Sequence, residues 1–241
     1  MLISGSVFLI TGGASGMGRA AAEVLLQEGA HLTILDLQRP LQDANFQFGH
    51  DRVLFLQVDV TSEKDVLNAM DATKRKFGKL NGVLNCAAVF STAPIYDFKT
   101  LEPHSKQIFM KILDVNLCGT FNVIRLAIGL LAENEPDADG ERGIIINTSS
   151  VLGHRGSPHC LAYCASKAGV IGMTSSLAKE LKSWGIRVLD IAPGVSNDDF
   201  VDASAANMLP RTEKPSDFGQ LVKCIIANQM FNGTSVRLTA A

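Results

Sequence analysis

Tyr163 and Lys167 stand four positions apart, and two serines, Ser149 and Ser150, shortly precede them. Those residue types suit proton transfer at a carbinol or carbonyl carbon. Removing hydride from an alcohol needs a base for its hydroxyl proton, and the reverse reduction needs the same group as an acid. A free tyrosine titrates near pKa ~10, too high for either role at neutral pH. A lysine one helical turn further on shares the tyrosine's face, and its positive charge favours the phenolate. Lowering the tyrosine pKa by about three corresponds to about 4 kcal/mol of preferential stabilisation. A serine hydroxyl at the carboxyl end of a buried strand can hold the substrate oxygen and its developing charge. The residues alone leave Ser149 and Ser150 both open for that part. Of the two tyrosines, only Tyr163 has a lysine at the fourth position; Tyr96 has Thr100.

A Tyr–Lys pair is common on ordinary helices, so the reading depends on a second motif. Thr11-Gly12-Gly13-Ala14-Ser15-Gly16-Met17-Gly18 follows a β-branched run and opens a helical pattern. Glycines there permit a tight turn and let backbone N–H groups approach a pyrophosphate at a helix N-terminus. Gly12, Ser15, Gly16, Met17 and Gly18 are the expected cofactor contacts. Asp36 closes the next strand candidate at the fingerprint spacing for a ribose-binding carboxylate. It accepts hydrogen bonds from a ribose diol and repels a 2′-phosphate, which favours NAD over NADP. Arg39, three residues on, is the one nearby group that favours NADP.

These motifs need a scaffold. Strands are expected at Val7–Ile10, His31–Leu35, Val53–Val58, Gly82–Asn85, Gly143–Asn147, Arg187–Ile191 and Val236–Leu238. Several are apolar at consecutive positions, as strands covered on both faces must be. Helices are expected at Gly16–Glu28, Ser62–Phe77, Leu101–Leu131, Leu161–Trp184 and Pro215–Gln229. The alternation predicts an α/β fold, a single Rossmann-type doubly wound parallel sheet with helices on both faces. The 241 residues form one such domain. Glu133–Arg142 reads as a solvated acidic loop. The segment from Val195 to Lys214 leaves the carboxyl end of a strand, where ligands bind in open α/β sheets, and is the expected substrate lid.

Composition narrows the partners. A net charge of −2, with 46% apolar and 19% charged residues, gives no nucleic-acid signal. The five cysteines form no CxxC pair, which suggests neither a zinc site nor a disulfide framework and fits a reducing compartment. The longest apolar run, Val123 to Ala132, contains Arg125 and falls short of a membrane span. The first ten residues lack a basic leader pattern and read as the start of the fold.

Taken in order, the motifs resemble the short-chain dehydrogenase/reductase family over nearly the whole chain. Thr11-Gly12-xxx-Gly16-x-Gly18 resembles its cofactor loop, and Asp59-Val60 the pair that borders the adenine. Asn85-Cys86-Ala87-Ala88 resembles its fourth-strand turn, placing Cys86 and Ala87 at the cofactor. The family's serine-to-tyrosine spacing lands on Ser150, and Tyr163-xxx-Lys167 matches its catalytic pair. By the same resemblance Lys167 also binds the nicotinamide ribose, and Asn116 anchors a water leading from Lys167 to solvent. Stretches such as Leu113-Asp-Val-Asn-Leu117, Gly119-Thr-Phe-Asn-Val-Ile-Arg-Leu126 and Asn134-Glu-Pro-Asp137 are similar to the branch acting on 3-hydroxyacyl-CoA esters and hydroxysteroids. That branch implies an NAD-dependent homotetramer in the mitochondrion, with the cytoplasm as the alternative.

The chain also departs from the pattern. Ala88 replaces a usual glycine, which costs about 1 kcal/mol if the position needs positive φ. After Pro193-Gly194 the run Val195-Ser-Asn-Asp-Asp199 lacks the family's threonine, so Ser196 is expected to supply the hydroxyl at the nicotinamide. The segment beyond is shorter than in relatives and carries acidic residues that repel a CoA phosphate. Three readings follow: a dehydrogenase of 3-hydroxyacyl-CoA or steroid-like secondary alcohols, a dehydrogenase of a small polar carbonyl, and a non-catalytic NAD-binding scaffold.

Overall fold

The computed structural model describes residues 1–38, 51–194 and 213–239. Seven strands form one parallel sheet: β1 (Val7–Thr11), β2 (His31–Asp36), β3 (Val53–Gln57), β4 (Gly82–Asn85), β7 (Gly143–Thr148), β8 (Ile186–Pro193) and β9 (Ser235–Leu238). Their spatial order is β3-β2-β1-β4-β7-β8-β9. The order reverses between β1 and β4, which opens a crevice at the carboxyl ends of those strands. Alternate residues of each strand feed opposite layers. Leu9, Val83, Ile145 and Val188 pack into one core and Phe8, Ile10, Leu84 and Leu189 into the other. This is why the strands read as continuous apolar runs.

Helices α1 (Gly16–Gln27) and α7 (Pro215–Ala227) cover one face. On the other lie α2 (Glu63–Phe77), the α3–α4 stretch (Lys106–Leu113 and Thr120–Ala132) and α6 (Leu161–Glu180). A π-helical turn, Asp114–Gly119, joins α3 to α4. The unbroken helical stretch 106–132 is long and apolar enough to cross a membrane (hydropathy 1.6), which corrects the expectation from the shorter run. Here Val123, Ile124, Ala127 and Leu131 face the sheet core, so much of that apolar surface is spent inside the domain.

The helix expected from Leu101 starts instead at Lys106, because Ser105 caps it by accepting from Ile108 N–H. The preceding residues form a small hairpin of β5 (Tyr96–Asp97) and β6 (Glu102–Pro103), not foreseen, with Asp97 accepting from the Lys99 and Thr100 amides. A short helix, α5 (Val151–Arg155), also went unforeseen; Ser150 caps it. The acidic 133–142 loop is not wholly solvated. Glu141 is buried and accepts from Arg187 Nε at 2.7 Å, while the Arg187 guanidinium also donates to carbonyls at the end of α7.

Candidate active site

A cleft of about 510 Å³ opens at the β1/β4 reversal. Its floor is the glycine loop. At Gly12, φ is +63° and an added Cβ would stand 2.8 Å from Ala87 N, so the loop and the β4 turn are in near contact there. Gly16 sits at φ +52° in open space at the N-terminus of α1. Both positions favour glycine, and together they leave a concave backbone cradle beside a helix N-terminus. Thr11 holds the two sides together: its Oγ1 accepts from the Cys86 and Ala87 amides, each at 3.1 Å. That cradle fits the pyrophosphate of a dinucleotide.

The structure brings Gly12, Ser15, Gly16, Met17, Gly18, Asp36, Asp59, Val60, Cys86, Ala87, Tyr163 and Lys167 to the walls of this one cleft. Asp36 lies at its far end and accepts from the Ala14 and Gln38 amides, both at 3.1 Å. Asp59 turns its carboxylate into its own loop, accepting from Thr61 N at 2.9 Å, so Val60 and the backbone present the surface there. Ala88 carries no penalty: among the described residues only Leu101 and His159 are non-glycines at positive φ. Ser196, Arg39 and nearly all of the expected lid, 195–212, lie outside the described residues.

Sequence reasoning missed Leu35, Leu37, Val58, Val89, Lys111, Val115 and Thr148, which also line the cleft. Most are apolar strand or helix ends whose inward aim no local pattern marks. Lys111 is the notable one, an exposed cation on α3 at the cleft wall.

At the inner end, α6 presents Tyr163 and Lys167 on one face, and the Lys167 Nζ lies 5.6 Å from the Tyr163 ring centroid. Lys167 is buried and donates to Thr148 O at 2.7 Å. Ser150 lies on the Tyr163 side, where its hydroxyl favours the phenolate, while Ser149 turns the other way, its one hydroxyl proton shared between Asp190 and Ile191 O. The serine that faces the tyrosine is therefore Ser150. Phe90 packs its edge against Tyr163, with ring centroids 4.9 Å apart at 80°.

Asn116 is buried in the π-helical turn, and its amide is committed to Val89 and Ser166 rather than to Lys167. It accepts from Val89 N at 2.8 Å and donates to Val89 O at 3.0 Å and to Ser166 Oγ at 3.1 Å. Ser166 in turn donates to Tyr163 O at 2.7 Å. The side chain thus locks the wall beside the cleft to the helix that carries the tyrosine.

The electrostatics correct one expectation. Burial pushes the Tyr163 phenol above its ordinary value, and Ser150 only partly offsets this. Burial also pulls the Lys167 ammonium down to about 8. Desolvation outweighs the expected help from the lysine at Tyr163, whereas Lys167, although lowered, still keeps most of its charge at neutral pH. Cys86, beside them, is pushed up to about 11, a neutral thiol that accepts from Thr148 Oγ1 at 3.4 Å.

Fold, glycine cradle and the Ser150–Tyr163–Lys167 cluster together define a dinucleotide-dependent oxidoreductase. Residues 6–208 match the family model described as short chain dehydrogenase, and the chain belongs to that family. It is an oxidoreductase acting on CH–OH groups with a nicotinamide cofactor. The chain is 40% identical to 3-hydroxyacyl-CoA dehydrogenase type-2 of Drosophila melanogaster, over 100% of this chain and 98% of the relative. It is 42% identical to ipsdienol dehydrogenase of Ips pini, over 99% and 97%. Among solved structures it is similar to 3-ketoacyl-(acyl-carrier-protein) reductase from Brucella melitensis complexed with NADH, with 26% identity and a TM-score of 0.85 over 99% and 98% of the two chains.

Proposed function

We propose that the chain is an NAD-dependent dehydrogenase of short 3-hydroxyacyl-CoA or hydroxysteroid-like secondary alcohols. The observation that carries this reading is the pairing of Tyr163 and Lys167 at the inner end of the glycine-floored cleft, with Ser150 beside the tyrosine. The identity to 3-hydroxyacyl-CoA dehydrogenase type-2 supports the substrate class. The cradle residues Gly12 to Gly18 would hold the pyrophosphate, Asp36 the adenosine ribose, and Lys167 the nicotinamide ribose. When bound, the nicotinamide would supply the hydride acceptor, and its positive ring charge would favour the Tyr163 phenolate against burial.

The chain's own groups do the rest. Ser150 donates to the substrate oxygen and fixes its position. Tyr163 takes the hydroxyl proton through its phenolate oxygen, and its hydroxyl returns a proton in the reverse direction. Lys167, charged, stabilises that phenolate. Phe90 excludes water from one side of the tyrosine ring. A non-catalytic scaffold would not need this cluster. NADH formation across a panel of 3-hydroxyacyl-CoA esters, hydroxysteroids and simple secondary alcohols tests the reading; turnover confined to small polar alcohols, or none, overturns it. A second reading, a free apolar secondary alcohol without CoA, is favoured by the aromatic wall of Phe90 and by the identity to ipsdienol dehydrogenase.

NAD(H) is expected to bind at least about tenfold more tightly than NADP(H), since Asp36 faces the ribose end of the cleft and opposes a phosphate there. Calorimetric titration of both cofactors checks this, and equal affinities count against the assignment of Asp36. The same reading implies a homotetramer in the mitochondrion, open to light scattering and cell fractionation. Of the small helix residues available for subunit contact, Gly129 points outward into open space, whereas Gly119 and Ala127 pack inward.

A further inference from the structure

Asp190 is a carboxylate in the middle of β8 with no exposed surface, and the chemistry described above makes no use of it. Its row of the sheet places it between Asn147 of β7 and Ser235 of β9. Oδ2 accepts from Ser149 Oγ and, at 2.6 Å, from Ser235 Oγ. Because Ser235 spends its single proton on Asp190, the His154 Nε2 that lies 3.0 Å from Ser235 Oγ must be the donor of that pair. The chain of hydrogen bonds therefore runs from exposed His154 through Ser235 into the buried carboxylate. Oδ1 is buried with no hydrogen-bond partner among the described residues. A buried carboxylate with one oxygen unmatched calls for a compensating charge nearby. Lys167 sits on α6, which packs against β8, and its ammonium is held by Thr148 O, one residue from the serine that holds Asp190, so the two charges interact.

We propose that Asp190 is a positioning residue for Lys167: a carboxylate fixed by Ser149 and Ser235 and tied through Ser235 to His154, which keeps the Lys167 ammonium charged inside the site. The groups facing Lys167 are Tyr163 on its own helix, Cys86 at the end of β4 and Asp190 on β8. Cys86 and Asp190 both raise the lysine against desolvation, but the Cys86 thiol, pushed up to about 11, is neutral at physiological pH. Asp190 is the remaining anion. Burial holds the Asp190 carboxyl above its ordinary value, and the groups facing it, Ser149, Ser235, His154 and Lys167, each work against that shift in favour of the charged form. Tyr163 feels Ser150, Cys160 and Cys164 rather than Asp190, so the carboxylate acts on the tyrosine only through the lysine. The catalytic meaning of this inference rests on the role given to Lys167 above.

The competing account is that Asp190 merely knots the ends of β7, β8 and β9, and the test separates the two without substrate. Lysine 13Cε resonances are followed against pH in the full chain, with Lys167 identified by the signal lost in Lys167→Met. The wild-type midpoint is expected near 8. Asp190→Asn keeps the size and can still accept from both serines; it is expected to lower that midpoint by about one pH unit, a tenfold loss of proton affinity. A folded Asp190→Asn protein with an unmoved Lys167 midpoint overturns the proposal, whatever its melting temperature does. Should Asp190→Asn not fold, Lys167→Met gives the reciprocal measurement: the Asp190 13Cγ midpoint must rise by the same amount. An unmoved Asp190 overturns the proposal equally. If the panel yields no alcohol substrate, the proposed function fails while both titrations retain their meaning.

Discussion

Tyr163→Phe is expected to lower turnover by about 10²–10⁴-fold on whichever alcohol the panel identifies, with NAD affinity nearly unchanged. The substitution removes one hydroxyl and keeps the ring that packs against Phe90, so the local structure has little reason to shift. What is lost is the hydroxyl that, among the described residues at the inner end of the cleft, neighbours both Ser150 and Lys167 and can carry the proton. The cradle formed by Gly12 and Gly16 and the Asp36 carboxylate are untouched, which is why binding survives. Two companion variants should divide differently. Lys167→Ala should lower both turnover and NAD affinity, because the ammonium serves the phenolate and, in the proposed reading, the ribose. Ser150→Ala should lower turnover by about 10²-fold with NAD affinity intact, and Ser149→Ala should cost less turnover, since Ser149 faces Asp190. Steady-state kinetics with calorimetry of NAD makes the comparison. Wild-type turnover by Tyr163→Phe would remove the tyrosine from the mechanism.

Arg187→Ala is expected to destabilise the fold by about 3–5 kcal/mol, more than any surface charge change. Arg187 and Glu141 are both nearly inaccessible and meet at 2.7 Å. The guanidinium also donates to Ile225 O, Asn228 O, Phe231 O and Ile226 O, carbonyls at and just beyond the end of α7 that lack partners within the helix. Truncation leaves the buried carboxylate with only the Met1 ammonium, 3.2 Å away, and frees several acceptors at once. Lys74→Ala provides the control, because the Lys74–Glu133 pair is equally short but half exposed. Its loss should cost about 1 kcal/mol or less. Urea unfolding of both variants measures the difference, and similar costs for the two would mean that burial does not set the worth of these pairs here. The fold matters to the site because β8, which carries Arg187, also carries Asp190 and leads to Pro193 at its end.

Much of this protein was legible in its sequence because the relevant physics is local. Apolar residues at consecutive positions of Phe8–Ile10 or Ile144–Ile146 require cover on both faces, and that requirement specifies a parallel sheet wherever helices alternate with strands. Glycines at 12 and 16 answer a backbone need that no other residue meets as easily, and Asp36 is brought to the same cleft by the length of one β-α-β unit. The four-residue step from Tyr163 to Lys167 places both on one helical face whatever surrounds them.

Only the tertiary structure decided the rest, because it depends on groups far apart in the chain. Ser149 and Ser150 are neighbours at a strand end and so point to different sides; which side is the cleft is set by where Ile191 and Asp190 of β8 lie, some forty residues on. Glu141 looked like part of a solvated loop until Arg187 was found beside it. The amide of Asn116 is claimed by Val89 and Ser166, partners on separate elements. The Tyr163 pKa shifts opposite to the expectation from its spacing to Lys167, because spacing sets their mutual attraction while burial sets the cost of charging either. That cost comes from the sheet, the helices and the cleft together, and no stretch of sequence contains it.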